Sequence, residues 1–531
     1  MEQPRMPLRG NRNDENSRIT EQIKHKEYTV SRTALFLDRD GTIIEDTGAL
    51  GDPEDIRLIP GIIPSLQVLQ EHYLLFVVTN QVWISRGVLS HSQVDRVNGA
   101  LDSLLREHGI AVKEWFVCPH QKSDKCTCRK PSPHFLLHAA DKYNIDLSRS
   151  FMIGDHPSDP QTGEAAGAFG LYVLTGHGME HLHSLSDYYP VFHNLAEAGE
   201  WILKHPDPST YYEEATAAGG EAIQRGELAV FPTETVYGIG ADALNPEAAA
   251  RIFEAKKRPL HDPLIVHVSE PAQIASLVTE IPEKARLLID AFWPGPLTLV
   301  LPKSAKVPDL VTAGKNSVAL RMPSHPLALK LISKAGVPVA APSANLFGRT
   351  SPTTAEHVRN QLEGAYTVLV DGGICRVGVE STVLSLTGET PTLLRAGGLA
   401  LEQIEEVIGP VTHYKGGDNS AERQQSPGLL ADHYAPLTPL RIVEDMERYR
   451  DTPSVGKLLF SGTAEGYAGP AISLSPEGNV REAAVKLYHA IQQLDASGVD
   501  LIAAERAPGE GLGRAINDRL EKASTTKASP S

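Results

Sequence analysis

The chain has 531 residues, too many for one hydrophobic core, and its length argues for about three or four domains. The composition is ordinary for a globular protein, and no apolar run approaches the roughly 18 to 20 residues needed to span a bilayer. A net charge of −16 argues against broad binding of nucleic acid, yet the excess is uneven: residues 221–400 hold 17 Lys+Arg against 17 Asp+Glu, a neutral stretch that could take an anionic ligand.

The opening segment MEQPRMPLRGNRNDENSR is polar, disordered in character and unlike a secretory leader, so a reducing cytoplasm is the expected compartment. From Ala34 to about Gly178 the apolar runs ALFLD, LLFVV, EWFVC, FMIGD and LYVLT alternate with helical patterns such as Val94, Val97, Leu101, Leu104 and Leu105. That alternation predicts a doubly wound parallel α/β sheet. Within it, Cys118, His120, Cys126 and Cys128 fall inside eleven residues and use three of the four cysteines in the chain. Three thiolates and an imidazole complete a soft tetrahedral shell, which selects Zn2+ and leaves no open position for a reacting water; the zinc is therefore expected to be structural.

Ligands of open α/β sheets sit beyond the carboxyl ends of the strands, where Asp38, Asp40, Thr79, Asn80, Gln81 and Asp155 fall, with Asp159 four residues further. Carboxylates meeting at one edge repel unless a cation joins them, which predicts Mg2+; Lys130 can add a positive charge. The set suits phosphoryl transfer: Asp38 as nucleophile, Asp40 as acid and base, Thr79 and Lys130 at the equatorial oxygens. With CPH, CTCRKP and GD alongside, residues 30–180 resemble the zinc-containing branch of the haloacid dehalogenase phosphatases, which includes D,D-heptose 1,7-bisphosphate and histidinol-phosphate phosphatases. The resemblance implies Asp38 and Asp155 as magnesium ligands, Asp40 being counted with them, and Thr79, Arg129 and Lys130 at the phosphate. A phosphorylated sugar or alcohol is the expected substrate, the heptose bisphosphate first and histidinol phosphate second. Val82-Trp83, His134 and His156 depart from the family pattern and favour the alternative of a silent docking domain.

A linker is expected over residues 181–212. From 213 to 410 the short runs LAVFPT, PLIVHV, LTLVLP, SVALRMP and STVLSL between Pro-Gly turns predict an α+β module. No GxxxxGK[ST] loop occurs, so a bound nucleotide must be clamped by arginines and hydroxyls. PTETVYG at 232–238, KKRP at 256–259, His267, Ser317, Arg321, APSAN at 341–345, Ser351, EST at 380–382 and Arg395 resemble in order and spacing the YrdC-type threonylcarbamoyladenylate synthases. These convert L-threonine, bicarbonate and ATP to threonylcarbamoyl-AMP and pyrophosphate for the t6A modification of tRNA. The resemblance implies L-threonine at Thr235, His267, Arg321, Ala341 and Ser381, and ATP at Arg258, Asp262, Ser317, Ser343, Ser351, Arg395 and Tyr434, with Lys256 and Asn345 bordering the cavity. A t6A transferase complex is the expected partner, with no strong direct nucleic-acid contact and no membrane.

Ser426-Pro427-Gly428 and His433-Tyr434-Ala435-Pro436 match the long form of that family, and the Gly-containing connector 411–436 reads as a candidate lid. Residues 437–525, with the amphipathic series Ala484, Leu487, Tyr488, Ile491, Leu494 and the run VDLIAA, predict a small α/β domain before a frayed STTKASPS tail.

Overall fold

The computed structural model describes residues 32–414 and 434–524. The opening segment, the connector around Ser426-Pro427-Gly428 with its reading as a lid, and the STTKASPS tail lie outside the described residues.

The first five apolar runs become β1 (Ala34–Leu37), β2 (Leu74–Asn80), β3 (Val112–Cys118), β4 (Phe151–Gly154) and β5 (Phe169–Val173), joined by β6 (Val191–Phe192). Every pairing is parallel and the order is β3-β2-β1-β4-β5-β6. The chain winds one way from β1 to β3 and the other way from β4 to β6, so the switch point lies where β1 meets β2 and β4. Helices cover the sheet because their apolar spacing fits it: in His91–Glu107, opened by a Ser90/Gln93 capping box, Val94, Val97, Leu101 and Leu105 are buried.

The segment read as a linker is structured. Residues 191–192 add the sixth strand, and the helix Leu195–Lys204, capped by Asn194, buries Leu195, Ala198, Trp201 and Ile202 in the core under that sheet. The next helix, Pro208–Gln224, packs on the helix Pro326–Ala335 of the following module. The residues 181–212 thus divide between two cores, and their many polar side chains hid the strand.

The middle region builds a mixed sheet from β7 (Ala229–Phe231), β8 (Gly238–Asp242), β9 (Ile265–His267), β10 (Leu297–Pro302), β11 (Ser317–Arg321), β12 (Val339–Ala340), β13 (Val368–Leu369), β14 (Thr382–Ser385), β15 (Thr392–Arg395) and β16 (Thr412–His413). The order is β13-β7-β8-β12-β9-β11-β10-β14-β15-β16, with parallel and antiparallel neighbours mixed. A third, parallel sheet follows, β17-β20-β18-β19, made of β17 (Leu440–Ile442), β18 (Val455–Leu459), β19 (Ala471–Ser473) and β20 (Leu501–Ala504). The helix Val480–Ala496 buries the predicted stripe Ala484, Leu487, Tyr488, Ile491 and Leu494.

The three sheets are packed together. Tyr172, Tyr189 and Val191 of the first region share one apolar cluster with Ile374 of the second and Val485 of the third. At Gly378 (φ +74°) an added Cβ would stand 2.2 Å from the Ala484 carbonyl oxygen, so only glycine lets these backbones approach.

Candidate functional site

The switch point of the first sheet gathers the expected acids. Asp38 follows β1, Asp155 follows β4, and Asp159 lies in the first turn of the helix Ser158–Ala166; their carboxylate oxygens lie within 4.8 Å of one another. The Lys130 ammonium is held between two of them, 2.7 Å from Asp38 Oδ1 and 2.6 Å from Asp159 Oδ1, and donates to the Val78 carbonyl at 2.9 Å. Gly41 (φ +75°) borders the third: a Cβ there would overlap Asp155 Oδ2 at 2.1 Å.

Burial pushes the Asp38 carboxyl up to about 7, with Lys130 opposing and Asp159 and Asp40 adding to the rise. Asp155 is raised well above its ordinary value by burial and then by Asp38 and Asp159. For Lys130 burial opposes the charge, but Asp159 and Asp38 outweigh it and raise its pKa. Three buried carboxyl groups share one ammonium, and the raised pKa of Asp38 and Asp155 reflects a burial and repulsion that a divalent cation such as Mg2+ on these hard oxygens would relieve.

The Asp40 carboxylate, expected at the magnesium, stands outside this group of three carboxylates, and its position has a physical cause. The Asp40 carboxylate is held 2.9 Å from Arg39 Nη2, accepts from Gln81 Nε2 at 2.8 Å and faces Thr79 Oγ1 at 3.4 Å, while Arg39 is anchored on Asn98 Oδ1 at 2.7 Å. Those bonds orient Asp40 away from the three-carboxylate group, and Asp159 stands there instead. Asp38, Asp40, Thr79, Asn80, Gln81, Arg129, Lys130 and Asp155 all line one cleft of about 730 Å³, as do Trp83 and His156. Trp83 carries Arg86 5.0 Å over its ring and borders the cleft without closing it.

Beside the cleft, the loop after β3 folds Cys118, His120, Cys126 and Cys128 together. Separations are 3.7 Å for Cys118–His120, Cys118–Cys126 and Cys126–Cys128, and 3.4 Å for Cys128–Cys118 and Cys128–His120. The edge of a tetrahedron centred about 2.3 Å from each sulfur is about 3.8 Å, so the spacing is that of four ligands around one ion. Arg129 Nη1 donates to the His120 carbonyl at 3.0 Å and ties this loop to the cleft.

The second site lies in the mixed sheet. Thr235, Arg258, His267, Arg321, Ala341, Ser343, Ser381, Arg395 and Tyr434 line one cleft, as expected from their order in the chain. Arg321, ending β11, is 2.6 Å from Glu234 Oε1. His267, ending the adjacent β9, is buried, and that burial, with Arg321 next, pushes its pKa down to about 3; it is a neutral imidazole. Arg395 spans to Ser381, donating to its carbonyl at 2.9 Å and to its hydroxyl at 3.2 Å, and that hydroxyl lies 2.7 Å from Thr298 Oγ1.

Other expected members stand behind this lining. Asp262 pairs with Arg258 Nη2 at 2.8 Å. Lys256 donates to the carbonyls of Ser343, at 2.5 Å, and of Asn345, so it braces the APSAN turn. Burial, with Arg258 next, lowers its pKa well below the ordinary value, which fits a bracing rather than a ligand-facing amine. Ser351 donates to Glu380 Oε1 at 2.5 Å, and Ser317, which opens β11, is not among the lining side chains. Their polar atoms are engaged by the scaffold or, for Ser317, stand at the far end of the strand from Arg321.

Arg519 and Tyr488 reach this site although motif order did not single them out for it. Glu380 accepts from Arg519 Nε at 2.7 Å and from the Tyr488 hydroxyl at 3.0 Å, both from the third region. Burial opposes its charge, but Arg519, then Arg395 and the Ser351 hydroxyl hold Glu380 down at about 2. Arg519 also lies 5.1 Å over the Tyr434 ring. Its burial is visible only in the structure; in the sequence the one hint is an arginine at helical spacing beside Ala515, Ile516 and Leu520.

Family models agree with this division. One described as telomere recombination matches residues 221–397, one for the threonylcarbamoyl-AMP synthase C-terminal domain matches 399–525, and a HAD-hydrolase-like one matches 127–198. The chain is 46% identical over 311 residues to the threonylcarbamoyl-AMP synthase of Pyrococcus abyssi, covering 57% of this chain and 92% of that protein. It is 44% identical over 334 residues to that of Bacillus subtilis, covering 61% of this chain and 96% of that protein. The crystal structure of P. abyssi Sua5 complexed with L-threonine superposes with a TM-score of 0.55 at 43% identity, covering 58% of this chain and 94% of that one. The chain therefore belongs to the threonylcarbamoyl-AMP synthases, and it carries a HAD-hydrolase-like domain ahead of the synthase part.

Proposed function

We propose that the chain is a bifunctional enzyme: a synthase that makes threonylcarbamoyl-AMP and pyrophosphate from L-threonine, bicarbonate and ATP for tRNA t6A modification, and a phosphatase that acts on a sugar phosphate. The proposed boundaries are 30–180 for the phosphatase, extended through 204 by β6 and its helix, 213–410 for the synthase and 437–525 for the C-terminal domain.

The observation that carries the synthase reading is one cleft lined by Arg258, Arg321, Arg395, Thr235, His267, Ala341, Ser343 and Ser381. In this reading Arg321, paired with Glu234, receives the threonine carboxylate while Thr235, Ser381 and neutral His267 meet its polar groups; that a relative was crystallised with L-threonine supports threonine as the substrate. Arg258, Arg395, Ser343 and Tyr434 face ATP. The threonine amine attacks the carbon of bicarbonate, a C–O bond breaks and water leaves, and the resulting carbamate oxygen attacks the α-phosphate of ATP, releasing pyrophosphate. The residues act by holding the two in line and excluding water from a labile carbamate. Pyrophosphate release that requires all three substrates tests this; release indifferent to threonine refutes it.

The phosphatase reading rests on Lys130 bridging Asp38 and Asp159 beside Asp155. Asp38, Asp155 and Asp159 would hold Mg2+, which supplies charge stabilisation at the phosphoryl oxygens. Asp38 is the nucleophile, and Asp40, fixed by Arg39 and Gln81, is poised to hand a proton to the departing oxygen and then to take one from water. Cys118, His120, Cys126 and Cys128 would hold a structural Zn2+ that shapes the loop carrying Arg129 and Lys130. D,D-heptose 1,7-bisphosphate is the proposed substrate, with histidinol phosphate second. A phosphate-ester panel decides between them, and hydrolysis of none would favour a docking role for this domain.

A further inference from the structure

The third region sends two side chains under the synthase cleft. Arg519, from the helix Leu512–Ser524, and Tyr488, from the helix Val480–Ala496, are fully buried, and both meet Glu380, which lines the cleft with Arg395 and Tyr434. Besides Glu380, Arg519 donates from Nη1 to the Ala396 carbonyl at 2.9 Å and to Asp518 Oδ2 at 2.5 Å. Its Cζ stands 5.1 Å from the centroid of the Tyr434 ring, and Tyr434 holds that ring on a left-handed backbone (φ +68°) that a tyrosine rarely adopts. A guanidinium is costly to bury, and this one is placed where two members of the cleft lining touch it.

The charges show what the contact does. Glu380 has two guanidinium groups near it: Arg519, paired with it at 2.7 Å, and Arg395, which donates to the carbonyl and hydroxyl of Ser381. Burial works against the Glu380 charge, and of the cations that favour it Arg519 comes first and Arg395 second. Without Arg519 the buried carboxylate would draw on Arg395 instead, as an unmatched buried charge must. We propose that Arg519 is a positioning residue for the synthase reaction: it keeps Glu380 from competing with ATP for Arg395 and braces the Tyr434 ring against the nucleotide. The inference rests on the reading that Arg395 and Tyr434 face ATP. It makes the C-terminal domain part of the ATP side of the cleft, whereas Thr235, His267 and Arg321, at the threonine side, come from the middle region alone.

Pyrophosphate release by the full chain, with ATP and threonine varied in turn, tests this. Arg519→Met should raise KM for ATP about tenfold and leave KM for threonine within about twofold. Adding Glu380→Gln to Arg519→Met should recover most of that loss, because the competing carboxylate is gone; a merely structural arginine gives no such recovery. If Arg519→Met does not fold, Tyr488→Phe, which deletes only a hydroxyl on Glu380, should raise KM for ATP about two- to threefold with KM for threonine unchanged. Equal rises in both KM values, a double variant no better than the single one, or an unchanged KM for ATP in Tyr488→Phe would overturn the proposal. Wild-type release that does not depend on ATP would overturn the underlying reading of the cleft, and the proposal with it.

Discussion

The two clefts solve opposite electrostatic problems. In the first, carboxylates outnumber the cation among them: Asp38, Asp155 and Asp159 face Lys130. In the second, guanidinium groups lead, and each is fixed on an acid or carbonyl of its own scaffold, Arg321 on Glu234, Arg258 on Asp262, Arg395 on Ser381. The first is thus built to draw in a cation before a phosphate, the second to meet an anion directly. One chain with an overall charge of −16 holds both because the charges are settled locally, by partners a few ångströms away.

The largest expected effect lies in the acidic cleft. Asp38→Asn should lower phosphate-ester hydrolysis by about a thousandfold or more, since the nucleophile is removed, and a modest loss would sharpen the comparison against a covalent role. In the cationic cleft Arg321→Ala leaves Glu234 buried without its partner. Synthase kcat/KM for threonine should fall by about a hundredfold, read from pyrophosphate release, with hydrolysis at the other cleft unchanged.

The two regions also differ in what holds them in shape. Cys126→Ser/Cys128→Ser should lower the melting temperature by about 10 °C and cut hydrolysis, because the loop bearing Arg129 and Lys130 loses its anchor, whereas pyrophosphate release below the transition should stay. The cationic cleft is instead locked by Glu380 under Arg519 and Tyr488. Folding pulls Glu380 from its ordinary 4.5 down to about 2, so its contribution is fully present above pH 4.5 and fades as pH falls towards 2. Glu380→Gln should flatten that acid limb, at most by about 3 kcal/mol, in denaturant titrations between those limits; an unaltered limb would contradict the assignment.

What could be read from the sequence follows the range of the interactions. The ligands Cys118 to Cys128 are close in sequence, and Asp38 and Asp155 end apolar runs that had to be parallel strands, so their meeting at one edge was legible. The direction of the Asp40 carboxylate was not legible, because its neighbour Arg39, itself anchored on Asn98, decides it. Glu380 with Arg519, and His193 with His489, join residues well over a hundred positions apart, and no periodicity or spacing reports such a contact. The strand Val191–Phe192 was missed because two residues between prolines, tyrosines and histidines give no alternating pattern.

Two catalytic centres built from different residues of one chain should fail independently. Pyrophosphate release from ATP, L-threonine and bicarbonate by the full chain carrying Asp38→Asn tests it most directly. The predicted result is the wild-type rate in a protein that no longer hydrolyses phosphate esters; a rate that falls with the lost hydrolysis would contradict it.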